Sequence, residues 1–339
     1  MITRALPIRW KVSIFLLLIT TINYIDRLTF SILAPVINEE FVFSNTDYGN
    51  LSAAFLFAYA FGQLFGGKLI DILGTKRALT LAVALWSIAG ILHAFGQGFR
   101  SFFLFRVLLG IGEAANFPAA NKAIAEWFPA NERSLAVGIV TAGPGLGSIL
   151  APPVVAALVV TLNWQWAFII TGLIGFVWLW FWHRYYYAPE DHPDLPESEH
   201  AIALEEASTD DQPRKSWIEF LFYRETWGLI ISRFFADGAF YFLIFWLPLY
   251  LSTERGMDIR SIGMFAWIPF VAADLGSLAG GWTGKKLIDL GLSLNAARKV
   301  VIWIGALLAL AIFPAANTES IGMFIFLVCV GLFGIQFKS

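Results

Sequence analysis

Gly66-Gly67-Lys68-Leu69-Ile70-Asp71-Ile72-Leu73-Gly74-Thr75-Lys76-Arg77 separates two apolar runs in the first half of the chain. A related sequence separates two apolar runs in the second half: Gly280-Gly281-Trp282-Thr283-Gly284-Lys285-Lys286-Leu287-Ile288-Asp289, with Arg298-Lys299 opening the next run. A basic turn at a membrane edge accounts for the lysines in both. It does not account for the shared Gly-Gly and Lys-Leu-Ile-Asp pieces, so we read an internal repeat. A parallel two-fold repeat with six helices per half is a transporter architecture, with a substrate site expected between the halves at mid-membrane.

The composition around these turns agrees. Of the 339 residues, 58% are hydrophobic and 14% charged, and the mean hydropathy is +0.68. A soluble domain carries about 25% charged residues. The apolar excess comes in runs of the length that crosses a hydrocarbon core as a helix, without the alternation of a β-barrel strand. The fold class is therefore an all-α polytopic membrane protein. The runs fall at 11–36, 47–68, 78–98, 101–126, 133–160 and 165–187, then at 225–252, 260–284, 299–316 and 319–336. About ten helices are thus expected in three parts: an N-terminal six-helix bundle (1–187), a polar linker (188–224) and an incomplete C-terminal bundle of helices 7 to 10 (225–339). Within the linker, Glu197–Ser208 has the pattern of an amphipathic surface helix.

Charge placement orients the chain. With the N-terminus in the cytoplasm, sixteen Lys and Arg fall on that side and three on the other (Arg100, Arg255 and Arg260), as the positive-inside rule requires. The first run carries Asp26 and Arg27, unlike the clean apolar core of a signal peptide, so it is read as a retained span. The single cysteine, Cys329, excludes an intrachain disulfide. The four histidines lack metal-ligand spacing, and no serine or histidine is placed for catalysis, so neither a metal nor an enzyme is expected.

The charges inside the spans carry the functional reading. Arg106, Gly110 and Glu113 are spaced i, i+4, i+7 and share one face of the fourth span. A charge at the centre of a membrane helix costs roughly 2.5–3.5 kcal/mol on insertion scales, and such residues usually face a protein interior or cavity. Proton-coupled transport of an anion needs a carboxylate that changes protonation and a cation that attracts the substrate. Burial raises a carboxylate's pKa and a nearby Arg lowers it, so moving the Arg onto a substrate moves a proton. Asp26 with Arg27, and Arg106 with Glu113, supply both parts; purely structural ion pairs are the alternative. Arg suits the task because its fork of donors matches a carboxylate. Tyr24 and Asn23 lie within a turn of Arg27, placed to bind sugar hydroxyls, while Asn23 equally fits a role in helix packing. In the seventh span Arg233 and Asp237 are spaced as an intrahelical pair, and Asp274 in the eighth reads as a packing or gating partner. Gly143-Pro144-Gly145-Leu146-Gly147 in the fifth reads as a bend with close helix contact.

Gly67-x-x-x-Asp71-x-x-Gly74-x-Lys76-Arg77 resembles the signature of the major facilitator superfamily between its helices 2 and 3, and Arg106…Gly110…Gly112…Pro118 resembles its fourth-helix motif. Asn23-Tyr24-Ile25-Asp26-Arg27, Glu126-Trp127-Phe128-Pro129 with Glu132-Arg133, and Trp246-Leu-Pro248-x-Tyr250-Leu251 resemble the anion:cation symporters of that superfamily. Ala151-Pro152-Pro153, Trp164-Gln165-Trp166-Ala167-Phe168 and Phe265-Ala266-Trp267-x-Pro269 look most like bacterial hexuronate transporters. The Tyr24-Ile25-Asp26-Arg27 piece follows the galactonate and glucarate branches.

The resemblance implies a major facilitator fold with two pseudo-repeats of six helices, so the chain is expected to be C-terminally truncated, lacking helices 11 and 12. It also implies a proton-coupled symporter that imports a hexuronate or aldonate by alternating access. Asp26 and Glu113 would be the proton-coupling groups; Arg27, Tyr24, Tyr59, Arg106 and Asn23 would bind substrate; Gly67, Asp71, Gly74, Lys76 and Arg77 would form a gate. No cofactor is expected beyond the proton as coupling ion. The expected setting is the bacterial inner membrane, with an anionic sugar acid and the lipid bilayer as partners, no nucleic acid, and a monomeric state. The rival readings are an organic-anion or drug antiporter of the same superfamily and a non-transporting remnant.

Overall fold

The computed structural model describes residues 6–193, 195–196 and 217–338. It is helical throughout, with no strand among the described residues. Nine stretches within them are long and apolar enough to cross a membrane, and the tenth expected span is a shorter helix of 17 residues. The helices are α1 (Ile8–Phe41), α2 (Asn45–Leu73), α3 (Thr75–His93), α4 (Phe99–Glu113), α5 (Asn116–Trp127), α6 (Ala130–Thr161) and α7 (Trp164–Tyr185). Within the linker lies α8 (Trp217–Phe220), followed by α9 (Arg224–Thr253), α10 (Ile259–Phe265), α11 (Ile268–Asp289), α12 (Leu294–Ala309), α13 (Ile312–Asn317) and α14 (Ile321–Phe337). The surface helix expected at Glu197–Ser208 lies outside the described residues.

The boundaries follow from local chemistry. Ser44 and Asp47 form a reciprocal capping box at the start of α2, and the Asn163 side chain accepts from the Trp166 N–H at the start of α7, each satisfying donors that a helix end leaves open. Gly74, at φ +74°, ends α2 and starts α3. Gly291, at φ +95°, separates α11 from α12. Both halves of the repeat therefore turn on a glycine in the left-handed region that other residues avoid. Three expected spans are interrupted. Pro118, Pro269 and Pro314 each lie in the first turn after a break, where the missing N–H removes no hydrogen bond. The fourth span thus stops at Glu113 and restarts at Asn116.

The chain divides into two compact units, Met1–Gly147 with Leu158–Arg214, and Ser148–Ala157 with Lys215–Ser339. Lipid gives helices little hydrophobic reason to associate, so close packing rests on small residues. A Cβ on Gly110 of α4 would lie 2.6 Å from the Phe55 carbonyl oxygen and 3.0 Å from the Tyr59 nitrogen of α2. One on Gly147 of α6 would lie 2.6 Å from both the Thr21 oxygen and the Tyr24 Cβ of α1. The glycines of the fifth span therefore make the expected close contact, within a helix that runs unbroken from Ala130 to Thr161. In the second unit Leu247, Leu251, Ile262, Phe324, Val328 and Leu332 form a common core, and Gly305 and Gly334 bring α12 and α14 into backbone contact.

These contacts make a stability prediction. Gly110→Ala forces α2 away from α4 and costs roughly 1–3 kcal/mol, the usual range for overpacking. Thermal denaturation in detergent reads this as a lowered midpoint; an unchanged midpoint contradicts the packing described.

Candidate functional site

Asp26 and Arg27 are neighbours in sequence, but successive residues of a helix point about 100° apart. Asp26 faces α7, where Thr171 lies beside it, and both its carboxylate oxygens are buried. Arg27 faces α4: its Nε donates to Glu113 Oε2 at 2.8 Å, with the two side chains 1% and 0% exposed. Its Nη2 donates to Asn23 Oδ1 at 3.4 Å, one turn back on α1. The guanidinium lies 4.4 Å from the Tyr24 ring centroid and 4.5 Å from that of Tyr59. Planar, weakly hydrated guanidinium suits such aromatic faces. Five residues proposed from sequence thus converge here: Arg27, Glu113, Asn23, Tyr24 and Tyr59.

The pairing differs from the sequence expectation. Asp26 does not pair with Arg27, and Arg106 does not pair with Glu113. Arg106 and Glu113 share a face, yet seven residues of helix separate them by about 10 Å. Arg106 instead sits over the rings of Phe55 at 4.4 Å and Phe30 at 4.8 Å, and its Nε donates to the Leu51 carbonyl oxygen at 3.4 Å. Glu113 reaches across to α1. The two intrahelical pairs are replaced by one interhelical pair joining residues 86 positions apart.

Phe55 was not singled out by sequence reasoning. Its ring is 5.2 Å from the Arg27 guanidinium and 4.4 Å from that of Arg106, a shared plate between the two cations. The available signal was its position one turn before Tyr59. His93 was missed as well: it is fully buried, stacks on Phe168 with centroids 5.0 Å apart, and hydrogen-bonds the Ala89 carbonyl through Nδ1 at 2.7 Å.

At the end of α2, Asp71 pairs with Lys122 of α5 at 2.9 Å, and Lys122 Nζ also donates to the Ile70 carbonyl oxygen at 3.3 Å. Lys76 donates to the His183 carbonyl oxygen of α7 at 3.3 Å and lies over the Tyr187 ring. The turn is thereby tied to α5 and α7. Gly74 supplies its left-handed residue, Gly67 faces open space and Arg77 is exposed. Beside it Glu126 accepts from the Thr75 hydroxyl at 2.8 Å and from the Tyr186 hydroxyl at 3.2 Å. Burial, then the Glu126 carboxylate, holds the Tyr186 phenol well above its usual pKa, so it stays a proton donor. Of the linker's first residues, Pro189 is buried and the His192 ring meets Trp127 edge-on, while Glu190, Asp191 and Pro193 are exposed.

In the second unit Arg233 and Asp237 of α9 lie 3.5 Å apart and are 69% and 49% exposed, an intrahelical pair. Asp274 is partly buried on α11. Among the described residues no group of three or more His, Cys, Asp or Glu is placed to hold a metal ion. The first unit's charged cluster can hold an anion on Arg27 in place of Glu113, with two phenol rings beside it.

Comparison with known proteins identifies the family. The sequence pattern of the Major Facilitator Superfamily matches residues 16–337. The hexuronate transporter of Escherichia coli K12 is 33% identical over 343 residues, 98% of this chain and 78% of that protein. The D-galactonate transporter of Escherichia coli O6:H1 is 30% identical, over 98% of this chain and 80% of that one. Among solved structures, a bacterial homolog of the human lysosomal transporter Spinster superposes with a TM-score of 0.77 at 22% identity, covering 98% of this chain and 74% of its own.

Proposed function

The chain belongs to the major facilitator superfamily, a family of multi-pass membrane transporters and not of enzymes, and from that premise we propose that it imports a carboxylated sugar together with protons. The substrate class is a hexuronate or an aldonate, in line with the names its relatives carry. The membrane is the bacterial inner membrane, with the N-terminus in the cytoplasm as the distribution of Lys and Arg favours. The protein works as a monomer, by alternating access.

The observation that carries this reading is the buried Arg27–Glu113 pair with its Asn23, Tyr24 and Tyr59 surround. A guanidinium matches a carboxylate in charge and geometry. A substrate carboxylate arriving at Arg27 competes with Glu113 for the same donors. Displaced from Arg27, Glu113 is a lone buried carboxylate, a state costly enough that such a group neutralises instead; capture of a proton does so. Loss of the substrate returns the guanidinium to Glu113 and releases that proton. Asp26, buried beside Thr171, takes the second proton-coupling role. Asn23 and the phenols of Tyr24 and Tyr59 hold sugar hydroxyls. The Asp71–Lys122 and Lys76–His183 ties act as the gate.

Proteoliposomes containing the full chain test the substrate class. With an inward proton gradient, labelled glucuronate accumulates; excess unlabelled glucuronate or galactonate suppresses the signal, and glucose does not. Accumulation that ignores the gradient, or equal competition by glucose, contradicts the proposal.

A further inference from the structure

A second feature of the first unit lies outside the charged cluster. The start of α1 and the end of α7 enclose a groove of about 560 Å³, lined by Lys11, Ile14, Phe15, Phe181, Tyr185 and His192 among others. Among the described residues no acidic side chain lines it. Its walls come from the two spans, and Ile14, Phe181 and Tyr185 are 43%, 40% and 53% exposed. Phe15 stacks on Tyr185 at 6.2 Å and Tyr185 on Phe181 at 6.3 Å, so one aromatic row lines the trough across both helices. Lys11 is exposed and precedes Phe15 by about one helical turn, roughly 6 Å along the axis. Nearby Arg9 is engaged with Glu132 at 2.9 Å, and among the described lining residues the ammonium of Lys11 is the cation at the groove.

A cation one turn beyond an apolar trough repeats the division of a phospholipid into anionic head and acyl chain. Basic pockets between membrane helices at a cytoplasmic edge take anionic head groups, and the mouth of this groove lies at the edge where the chain concentrates its Lys and Arg. We propose that the groove binds an anionic phospholipid, its phosphate at Lys11 and His192 and one acyl chain along Ile14, Phe15 and Phe181. A zwitterionic lipid carries a phosphate too, but its own ammonium compensates that charge, so an anionic lipid is held more strongly at Lys11. The acidic segment 197–216 of this chain matches Lys11 in charge, but its few apolar residues, Ile202 and Leu204 among them, fill an apolar trough less fully than an acyl chain does.

Native mass spectrometry of the full chain in neutral detergent tests the site, using phosphatidylglycerol and phosphatidylcholine of matched chain length. The protein retains phosphatidylglycerol in preference to phosphatidylcholine. Lys11→Gln lowers that retention about fivefold, the effect of one Lys at an anionic surface, and leaves phosphatidylcholine unchanged, while Lys11→Arg keeps the preference. An unchanged melting midpoint of Lys11→Gln in lipid-free detergent separates this loss from misfolding. Equal retention of the two lipids, or full retention by Lys11→Gln, overturns the proposal. Complete displacement by glycerol 3-phosphate overturns it in favour of a soluble-anion site. A zero-length cross-link from Lys11 to Glu205 or Glu206 that phosphatidylglycerol does not suppress overturns it in favour of the chain's own linker.

Discussion

Arg27→Ala reduces gradient-driven glucuronate uptake by about two orders of magnitude or more and destabilises the protein. Truncating one partner of a hydrogen-bonded buried charge pair costs roughly 2–5 kcal/mol, much of it the penalty of leaving the other charge alone. Here the abandoned charge is Glu113, 0% exposed. The same change removes the cation lying between the rings of Tyr24 and Tyr59. The two consequences can be separated. In Arg27→Ala with Glu113→Gln, no uncompensated carboxylate remains, so much of the lost stability returns while uptake does not. Arg27→Lys keeps the charge but loses the planar fork, so it preserves stability better than uptake. Thermal denaturation beside uptake reads all three variants. Restored uptake in the double variant contradicts a role for Arg27 in holding substrate.

The spans, their order and the glycine-based turn were legible in the sequence because each is a local property. Hydropathy marks the runs, and the repeated Gly-Gly and Lys-Leu-Ile-Asp pieces mark where the chain re-enters the membrane. Breaks inside spans were less visible. Glu113, Pro118 and the residues between them lie inside one expected span, 101–126, and only the backbone shows that α4 ends at Glu113 and α5 begins at Asn116.

Identifying the charged residues was also a local matter; identifying their partners was not. A helical wheel places Arg106 and Glu113 on one face but does not say what that face meets. Gly110, lying between them, lets α2 approach closely, and that approach brings Phe55 under Arg106 and Tyr59 beside Arg27. Glu113, one turn further on, meets α1. The cluster is set by which backbones can touch, so the glycine carries as much of it as the charged residues do. Lys122 is a similar case: in the sequence it counted only toward the positive-inside balance, whereas in the structure it is the partner of Asp71.

The second large effect concerns Glu113. Glu113→Gln keeps the side chain's size and its hydrogen-bonding to Arg27 but removes the charge that a proton would cancel. Uptake driven by a proton gradient then falls to the level of simple exchange, while substrate binding persists, because Arg27 is no longer claimed by an internal carboxylate. Proton uptake on substrate binding measures this most directly. Purified protein in weakly buffered detergent solution receives glucuronate at matched pH, and a pH indicator follows the medium. The exchange of Arg27 from Glu113 to substrate requires the wild-type protein to take up protons and the medium to turn alkaline, with that signal reduced or lost in Glu113→Gln at equal substrate occupancy. If the wild-type protein binds glucuronate with no proton uptake, or if Glu113→Gln gives the same alkaline shift, Glu113 is not the group that trades its arginine for a proton.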